Sequence, residues 1–402
     1  MKYIGRSKNL QLIISIWLAL SILYQVYFFE FDNGIIVGGE LQRLFLKFVF
    51  TVVFMLSVSD YLSWKAFHTN LPFKLPIIYV VLSICISIPF LESAYLQALN
   101  IIFFMPIFFI DWNRDGADNL FAKIWKIIII VTLVQLFFDP FLKFYFNIFW
   151  DNKALIGGMG NPNVFGFFLI ASGLACKYLI ISRLRHFSLI MFFSTALTGS
   201  LISFTVGLFF ILIELKKIIQ NSVIVGTFFF SLIFFLFYFI SSNEYLFDEV
   251  VPFRHVVEKI SGVLLFGANN DNLEPTSLTL RIEYLNDGLK LMDKSPLSLI
   301  FGHPDFLPMY NGDGLWTSFL VTYGIPLTLC FLVANLLIFY RGFTSRDHRL
   351  RFSSSIIFIS ICFFATNRIL DYWPAAFLYV LSFTYLTNNG IKTKIYKSVN
   401  VH

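Results

Sequence analysis

The sequence predicts an all-α, polytopic membrane protein with about 12 transmembrane helices, and three observations support that fold class. Of the 402 residues, 57% are hydrophobic and only 13% are charged, whereas soluble domains are about 45–50% apolar and about 25% charged. The mean hydropathy is +0.75. Twelve spans of about 20 residues need roughly 240 positions, which is close to the apolar share of the chain. This composition excludes an ordinary soluble enzyme.

Apolar runs bounded by charged or turn-forming residues recur along the whole chain. We predict one membrane span in each of the runs 11–29, 44–59, 75–91, 94–110, 124–138, 162–182, 187–198, 201–215, 218–240, 315–339, 352–367 and 373–388. The first run is long for a signal peptide and lacks a small-residue cleavage site, so we expect it to be retained.

The stretch 187–215 is divided into two spans at Thr198-Gly199-Ser200, a sequence typical of a turn. Four cations flank the stretch, and they are Arg183, Arg185, Lys216 and Lys217. A helical hairpin puts all four on the same side of the membrane, whereas one long helix would not. We therefore predict a hairpin.

The distribution of positive charge predicts the orientation. With both termini in the cytoplasm, 20 of the 30 Lys and Arg residues fall in cytoplasmic segments. Five of the other ten lie in one long loop, where the positive-inside rule loses force. The net charge of +6 is scattered over short loops and is not clustered on a soluble face, so we predict no nucleic-acid partner.

The cysteines and histidines predict neither disulfides nor a metal site. The four cysteines, Cys85, Cys176, Cys330 and Cys362, all lie inside apolar runs, where a disulfide framework is not expected. The six histidines are far apart and have no metal-ligand spacing. No metal and no other cofactor is predicted.

One long loop, residues 241–314, stands out within what we predict to be a single transmembrane domain over 1–402. After Pro275, apolar residues recur with helical spacing at Leu278, Ile282, Leu285, Leu289 and Met292, which predicts an amphipathic helix. Ser295-Pro296 is expected to end that helix. Such a helix fits the outer surface of a membrane.

Polar side chains near the predicted outer face are candidates for binding or catalysis, because polar groups beside an apolar scaffold are costly to keep. The candidates are Arg254, Arg281, His303 and Asp313 in the long loop, Arg368 after the eleventh run, and Asn163 at the start of the sixth.

Purely structural roles are open for the candidates in the long loop. Arg281 would anchor an interfacial helix to lipid headgroups, and Asp313 would cap the following span. Arg254 has Glu258 four residues on and would pair with it. His303 would be a turn residue.

The remaining two candidates also have structural interpretations. Arg368 would mark the end of a span or pair with Asp371. Asn163 would cap the sixth predicted span.

Several short motifs follow one another in a fixed order. In sequence these are Gly160-Asn161-Pro162-Asn163, Thr198-Gly199-Ser200, Arg281 at the start of the amphipathic helix, Phe301-Gly302-His303, Asp313-Gly314 and Tyr323-Gly324-Ile325-Pro326. This order, over roughly residues 155–340, resembles the bacterial O-antigen polymerase (Wzy) and O-antigen ligase superfamily of integral-membrane glycosyltransferases. The resemblance implies a GT-C-like fold in the inner membrane, with the long loop in the periplasm.

The chain departs from the family pattern at three points, and the first of them favours a polymerase over a ligase. Ligases place a histidine eleven residues before the glycine of the late span, and here that position, counted from Gly324, is Asp313. The family often continues the hairpin motif with arginine, where this chain has Leu201. The Arg-x10-Gly spacing of some polymerases is absent at Arg254 and Arg281.

The resemblance implies a specific chemistry. The donor is a growing glycan on undecaprenyl pyrophosphate, and the acceptor is a hydroxyl of a new lipid-linked repeat unit. Arg281, helped by Arg254, would hold the pyrophosphate, because a guanidinium binds phosphate oxygens bidentately. Asp313 would orient or deprotonate the acceptor hydroxyl, and His303, Arg368 and Asn163 would bind substrate. A flippase and a chain-length regulator are the expected protein partners.

Two alternatives remain beside polymerase and ligase. Glu30-Phe31-Asp32 is an acidic pair of the kind that metal-dependent glycosyltransferases use, although Asn33-Gly34 favours a plain turn. A lipid-linked oligosaccharide flippase is the second alternative. Repeated halves and interrupted helices are typical of transporters, and the sequence shows no internal repeat.

Overall fold

The computed structural model describes residues 30–32, 35–37, 40–87, 103–146, 154–159, 161–179, 187–221, 277–293, 295–302 and 314–389. Most of these residues are helical. The strands β1 (Glu30–Asp32) and β2 (Ile35–Val37) pair with each other. Strand β1 contains Glu30 and Asp32, the acidic pair on which the metal-dependent glycosyltransferase alternative rests. The prediction of a mostly helical chain is confirmed.

The helices in the described ranges follow the sequence in simple order. They are α1 (Glu40–Ser57), α2 (Trp64–His68), α3 (Leu71–Ser87), α4 (Ala117–Phe146), α5 (Pro162–Tyr178), α6 (Phe187–Ser194), α7 (Leu201–Asn221), α8 (Ser277–Met292), α9 (Pro296–Phe301), α10 (Leu315–Phe343), α11 (His348–Phe364) and α12 (Trp373–Asn389). Single turns of 3-10 helix lie at Ser59–Tyr61, Met105–Phe109, Gly157–Met159, Thr195–Thr198 and Ile369–Asp371.

Most predicted apolar runs coincide with an observed helix. The run 94–110 differs, because its described part contains the 3-10 helix Met105–Phe109, which has a proline in its first turn. Its last residue, Ile110, forms an isolated β-bridge with Leu62 and therefore leaves the helical conformation. The run 11–29 and most of 218–240 lie outside the described residues.

Two helices in the described ranges are long and apolar enough to cross a membrane, α4 over Ala117–Phe138 and α10 over Leu315–Phe343. Four others, α3, α5, α11 and α12, have 17 residues each, slightly fewer than the about 20 that a bilayer needs. The twelve-span topology stays a prediction.

The chain divides into two compact units, which we describe separately. The first combines 37–128 with 275–402 and also takes 1–25, and the second combines 26–36 with 129–274. The boundary near residue 128 falls within α4. The single transmembrane domain predicted over 1–402 stays a prediction.

Helix α12 is the centre of the first unit. Every residue of α12 is buried, and it packs against α10 and α11. At its N-terminal end, the ring of Phe50 meets Trp373 edge to face at 4.5 Å between centroids. Its middle is tied to α10, because the Tyr379 hydroxyl donates to Oδ1 of Asn335 at 2.8 Å. A buried polar bond of this kind fixes the register of two apolar helices.

The C-terminal end of α12 is held by a buried polar network. Lys74, at the start of α3, is fully buried, and its Nζ donates to the carbonyl oxygens of Ala66 at 2.7 Å and Phe67 at 3.1 Å. It also donates to Oδ1 of Asn388 at 3.4 Å. Lys74 is one of the 20 cations in the predicted cytoplasmic segments, and the charge count does not show that its side chain is buried. The hydrogen bonds of its ammonium group therefore connect α3 to α2 and α12.

A second group of charges lies at the same end of α12. Nη1 of Arg349, in the first turn of α11, is 2.9 Å from Oδ2 of Asp118. The Tyr385 hydroxyl donates to the other oxygen of the same carboxylate at 2.8 Å. Asp118 therefore links α4, α11 and α12.

Helix α5 is the centre of the second unit and packs against α6 and α7. Close packing depends on glycine: a Cβ on Gly166 would lie 2.4 Å from Cβ of Ser203, and one on Gly173 would lie 2.6 Å from the ring of Phe192. The predicted break at residues 198–200 is confirmed, whereas the two membrane spans beside it stay a prediction. The break is at Gly199, whose φ of 63° lies in the left-handed region that favours glycine.

Large apolar side chains are exposed in stripes along the helices. On α10, Ile325, Leu329, Val333, Leu336 and Tyr340 recur every three or four residues and are between 40% and 65% exposed. Similar exposed side chains occur on α1, α3, α4 and α7. Exposed apolar surface of this extent is typical of contact with a membrane or another protein.

Candidate functional site

Two pairs of sequence motifs lie in contact, one pair in each unit. In the second unit, the start of α5 meets the tip of the α6–α7 hairpin. The Ser200 hydroxyl donates to Oδ1 of Asn163, and the Leu155 amide donates to the Leu197 carbonyl at 2.9 Å. The motifs around Asn163 and Ser200, 37 residues apart, therefore form one local structure.

Asn161, and not Asn163, caps α5. Its side-chain oxygen accepts hydrogen bonds from the amides of Asn163 at 2.9 Å and Val164 at 3.2 Å. Pro162 occupies the first turn, where its missing N–H costs nothing. The cap proposed for Asn163 is therefore corrected, and the Asn163 side chain is used for the bond to Ser200.

A chain of hydroxyls extends from Asn163 into the hairpin. The Ser200 and Ser203 hydroxyl oxygens are 2.8 Å apart, and the Ser200 amide donates to Oγ1 of Thr198 at 3.3 Å. Ser200, Ser203 and Thr198 are all buried. This chain fixes the orientation of the Asn163 amide, which is itself half-buried.

In the first unit, the Phe301-Gly302 segment meets the Tyr323-Gly324 segment. A Cβ on Gly302 would lie 2.2 Å from the Thr322 carbonyl oxygen, and one on Gly324 would lie 2.3 Å from the Ile300 carbonyl oxygen. Both glycines have a positive φ, of 77° and 80°. The end of α9 therefore contacts the backbone of α10 directly.

Helix α10 is interrupted at this contact. Gly324 has φ 80° and ψ 173°, a conformation that is essentially confined to glycine. Pro326 follows and cannot donate a helical hydrogen bond to the Thr322 carbonyl. The break leaves a short segment up to Tyr323 and a longer one from Ile325 to Phe343, about 28 Å in length.

Arg368 lies at the N-terminal end of α12. It is half-buried and immediately precedes the 3-10 helix Ile369–Asp371, so it lies between α11 and α12. Gly314, which caps α10, lies close by: its Cβ would be 3.1 Å from the Ala365 carbonyl oxygen. Gly314, which follows Asp313, therefore packs against Ala365, which precedes Arg368 by three residues.

Gly314 also changes one structural interpretation. Helix α10 begins at Leu315, and its N-cap residue is Gly314. The proposed role of Asp313 as the N-cap is therefore wrong. Asp313 itself, with Arg254 and His303, lies outside the described residues.

Arg281 lies on the predicted amphipathic helix, which the structure confirms as α8. Met292 and Val321 form a small buried cluster that joins α8 to α10. Arg281 precedes Met292 by three turns, or about 16 Å along the axis. Its backbone is therefore at the end of α8 away from this contact, and its side chain is outside the described part.

Ser295-Pro296 has a different role from the one predicted. Helix α8 ends earlier, at Met292, and the Ser295 hydroxyl accepts from the Leu297 amide at 3.2 Å, so it caps α9. Proline at the first helical position could have indicated this, as at Pro162.

A cleft of about 530 Å³ lies between α8 and α9. Its lining residues are Asn286, Leu289, Lys290, Met292, Asp293 and Leu299. Lys290 forms an exposed ion pair with Asp287 at 3.1 Å. The cleft offers an amide, a cation and a carboxylate beside apolar side chains. The sequence pattern singled out Leu289 and Met292, as part of the apolar stripe of α8, and none of the polar residues of the cleft.

Metal-binding clusters of three or more His, Cys, Asp or Glu side chains are absent from the described part of the chain. Comparison with models of known protein families finds no match to this sequence. Comparison with curated proteins finds no match either.

Proposed function

We propose that the chain is a polymerase of lipid-linked oligosaccharide repeat units in the bacterial inner membrane, with both termini in the cytoplasm. The observation that carries the proposal is the pairwise contact between motifs that also resemble the O-antigen polymerase superfamily. Each contact brings two motifs that are separate in sequence into one local structure, which supports a shared role for the two motifs of each pair.

The membrane part of the proposal has its own support. Two described helices have the length and apolarity of membrane spans, and apolar stripes are exposed while polar groups such as Asn335 and Lys74 are buried. The longer segment of α10, about 28 Å, matches a hydrocarbon core of about 30 Å.

In the proposed reaction, the acceptor hydroxyl oxygen attacks the anomeric carbon of the donor glycan. The bond from that carbon to the pyrophosphate oxygen breaks, and its electron pair leaves with undecaprenyl pyrophosphate. The hydroxyl proton passes to the carboxylate of Asp313. Arg281 and Arg254 stabilise the pyrophosphate charge as it develops.

The cleft between α8 and α9 supports a sugar substrate. Asn286, Lys290 and Asp293 supply hydrogen-bonding groups, and Met292 and Leu299 supply an apolar floor. A volume of about 530 Å³ lies within the range of small-molecule sites. The same helix carries Arg281, which would place the glycan and its pyrophosphate along one element.

The test is reconstitution of the purified protein in liposomes with synthetic lipid-linked repeat units, with products separated on a gel. We expect a ladder of polymer. Arg281→Gln should reduce the rate about a hundredfold, as loss of one charge-stabilising group does, and Lys65→Gln, at an exposed cation outside the proposed site, is the control. A variant of Arg281 that makes normal polymer would refute the proposed role.

Ligase is distinguished in a deletion strain. A single repeat unit on the surface lipid is expected for loss of a polymerase, whereas polymer stranded on the carrier lipid would indicate a ligase.

The break in α10 favours transport as a second candidate, because interrupted helices are typical of transporters. The same liposomes decide between the two, if a fluorescent lipid-linked oligosaccharide is used. Movement of the lipid between leaflets without chain growth would indicate a flippase, whereas chain growth without movement would indicate a polymerase.

A further inference from the structure

The turn between α10 and α11 carries positive charge that nearby carboxylates do not neutralise. Residues 341–351 contain four arginines and one aspartate. That aspartate is Asp347, whose Oδ1 accepts a hydrogen bond from the Arg349 amide at 2.8 Å and so caps α11. The carboxylate of Asp118 is used by Arg349 and Tyr385.

The guanidinium charges of the other three arginines are therefore available to bind an anion. Arg341 lies over the ring of Phe73, with its guanidinium carbon 4.5 Å from the ring centroid. Nε of Arg351 donates to the Ser345 carbonyl, which folds the side chain back over the turn that contains Arg346. In the described part of the chain, none of the three guanidinium groups forms an ion pair with a carboxylate, and all three side chains are exposed.

The exposed apolar stripe of α10 ends at this turn. Val333 is 50% exposed, Tyr340 and Phe343 are 65% and 64% exposed, and Arg341 follows Tyr340 directly. An aromatic pair next to a cation is typical of the boundary between hydrocarbon and headgroups.

We infer that this turn and the α10 stripe form a binding site for an anionic phospholipid. The guanidinium groups of Arg341, Arg346 and Arg351 bind its phosphate, and its acyl chains lie along the apolar side chains of α10. The inference goes beyond the proposed polymerase function and rests only on its membrane part.

The shape and charge of the surface favour a lipid over a protein. The stripe is one helix face wide and about 28 Å long from Ile325 to Phe343, which covers an acyl chain of one leaflet in a core of about 30 Å. The charge lies only at one end, as a phospholipid requires. A second copy of the chain would present the same positive turn and be repelled.

The test is native mass spectrometry of the full-length protein, purified in detergent and titrated with phosphatidylglycerol or with phosphatidylcholine of the same chain length. We expect preferential retention of phosphatidylglycerol. Each arginine exchanged for glutamine should weaken retention about fivefold, since a cation near an anionic lipid surface is worth about 1 kcal/mol.

Arg341→Gln, Arg346→Gln and the triple variant with Arg351→Gln are compared with Lys290→Gln, an exposed cation of the first unit outside this turn. Retention should fall in the arginine variants and stay unchanged in the control. Equal retention of both lipids by the wild type would overturn the inference, as would full retention by the triple variant. A dimer mass that phosphatidylglycerol fails to displace would instead indicate a second copy of the chain.

A triple lysine variant covers the case in which glutamine prevents folding. It keeps the charge, so preferential retention of phosphatidylglycerol should persist, and its loss would contradict a charge-based site. The measurement does not involve polymer formation. Failure of the polymerase proposal would therefore leave its outcome unchanged.

Discussion

Gly302 and Gly324 pack against each other's backbone, and this contact joins the long loop to an interrupted helix. Each glycine has a positive φ, and each faces carbonyl groups on the opposite segment. Neither position has space for a Cβ. The contact fixes where α9 ends on α10 and therefore where the cleft between α8 and α9 lies.

Replacing either glycine by alanine should separate the two segments. A Cβ would lie 2.2 Å or 2.3 Å from a backbone carbonyl oxygen, and the backbone conformation at Gly324 costs about 1–3 kcal/mol for any other residue. We expect the thermal unfolding midpoint in detergent to fall by several degrees. Ile325→Ala, at an exposed position in the same turn, is the control and should change the midpoint little.

The Asn161 cap should be replaceable by any short acceptor. Asn161→Ala removes the acceptor for the Asn163 and Val164 amides and should cost about 1 kcal/mol. Asn161→Asp and Asn161→Ser should restore most of that stability, measured by denaturant titration. If Asn161→Asp is as unstable as the alanine variant, the side chain acts through some contact other than the cap.

The positions of most helices follow from the sequence because apolar runs report burial or lipid contact directly. The run 373–388 became α12 (Trp373–Asn389) and the run 315–339 became α10 (Leu315–Phe343). The hairpin at Gly199 was also predictable, since cations on both sides of the stretch favour a turn over a long helix.

One cap was misassigned and another was not predicted, although the sequence contained the signal for both. Pro162 and Pro296 each open a helix, so the preceding residues, Asn161 and Ser295, are the caps. By contrast, the contact of Gly302 with Gly324 could not be predicted. Each glycine shows only that a backbone position needs freedom, and its partner lies in a different element.

Lys74 illustrates a similar limit. A lysine near the end of an apolar run resembles a surface cation, and only tertiary packing shows that Ala66, Phe67 and Asn388 accept its hydrogen bonds. The side chain is long enough to reach acceptors on two other helices.

Lys74→Met should be strongly destabilising, because it leaves buried acceptors without a donor at a cost of about 1–3 kcal/mol each. Methionine keeps the volume of the side chain, so the loss isolates the hydrogen bonds. Lys65→Met is the control, since Lys65 is exposed and its side chain should contribute less than about 0.5 kcal/mol. Equal stability of the two variants would contradict the role of Lys74.

The orientation of α10 in the membrane can be tested by labelling one position predicted on each side of the membrane. Glu283 on α8 and Arg346 after α10 are both exposed, and they are predicted to face the periplasm and the cytoplasm, respectively. In a variant whose four cysteines are replaced by serine, Glu283→Cys should react with a membrane-impermeant maleimide in spheroplasts. Arg346→Cys should react only after the membrane is permeabilised.

A buried position completes the labelling experiment. Ser360→Cys lies inside α11 with no exposed surface and should stay unlabelled in both conditions, which shows that the bundle is folded. If Glu283→Cys reacts only after permeabilisation, α8 and Arg281 lie in the cytoplasm. A glycan carried to the outer leaflet would then be out of reach of Arg281, and the proposed polymerase chemistry would fail.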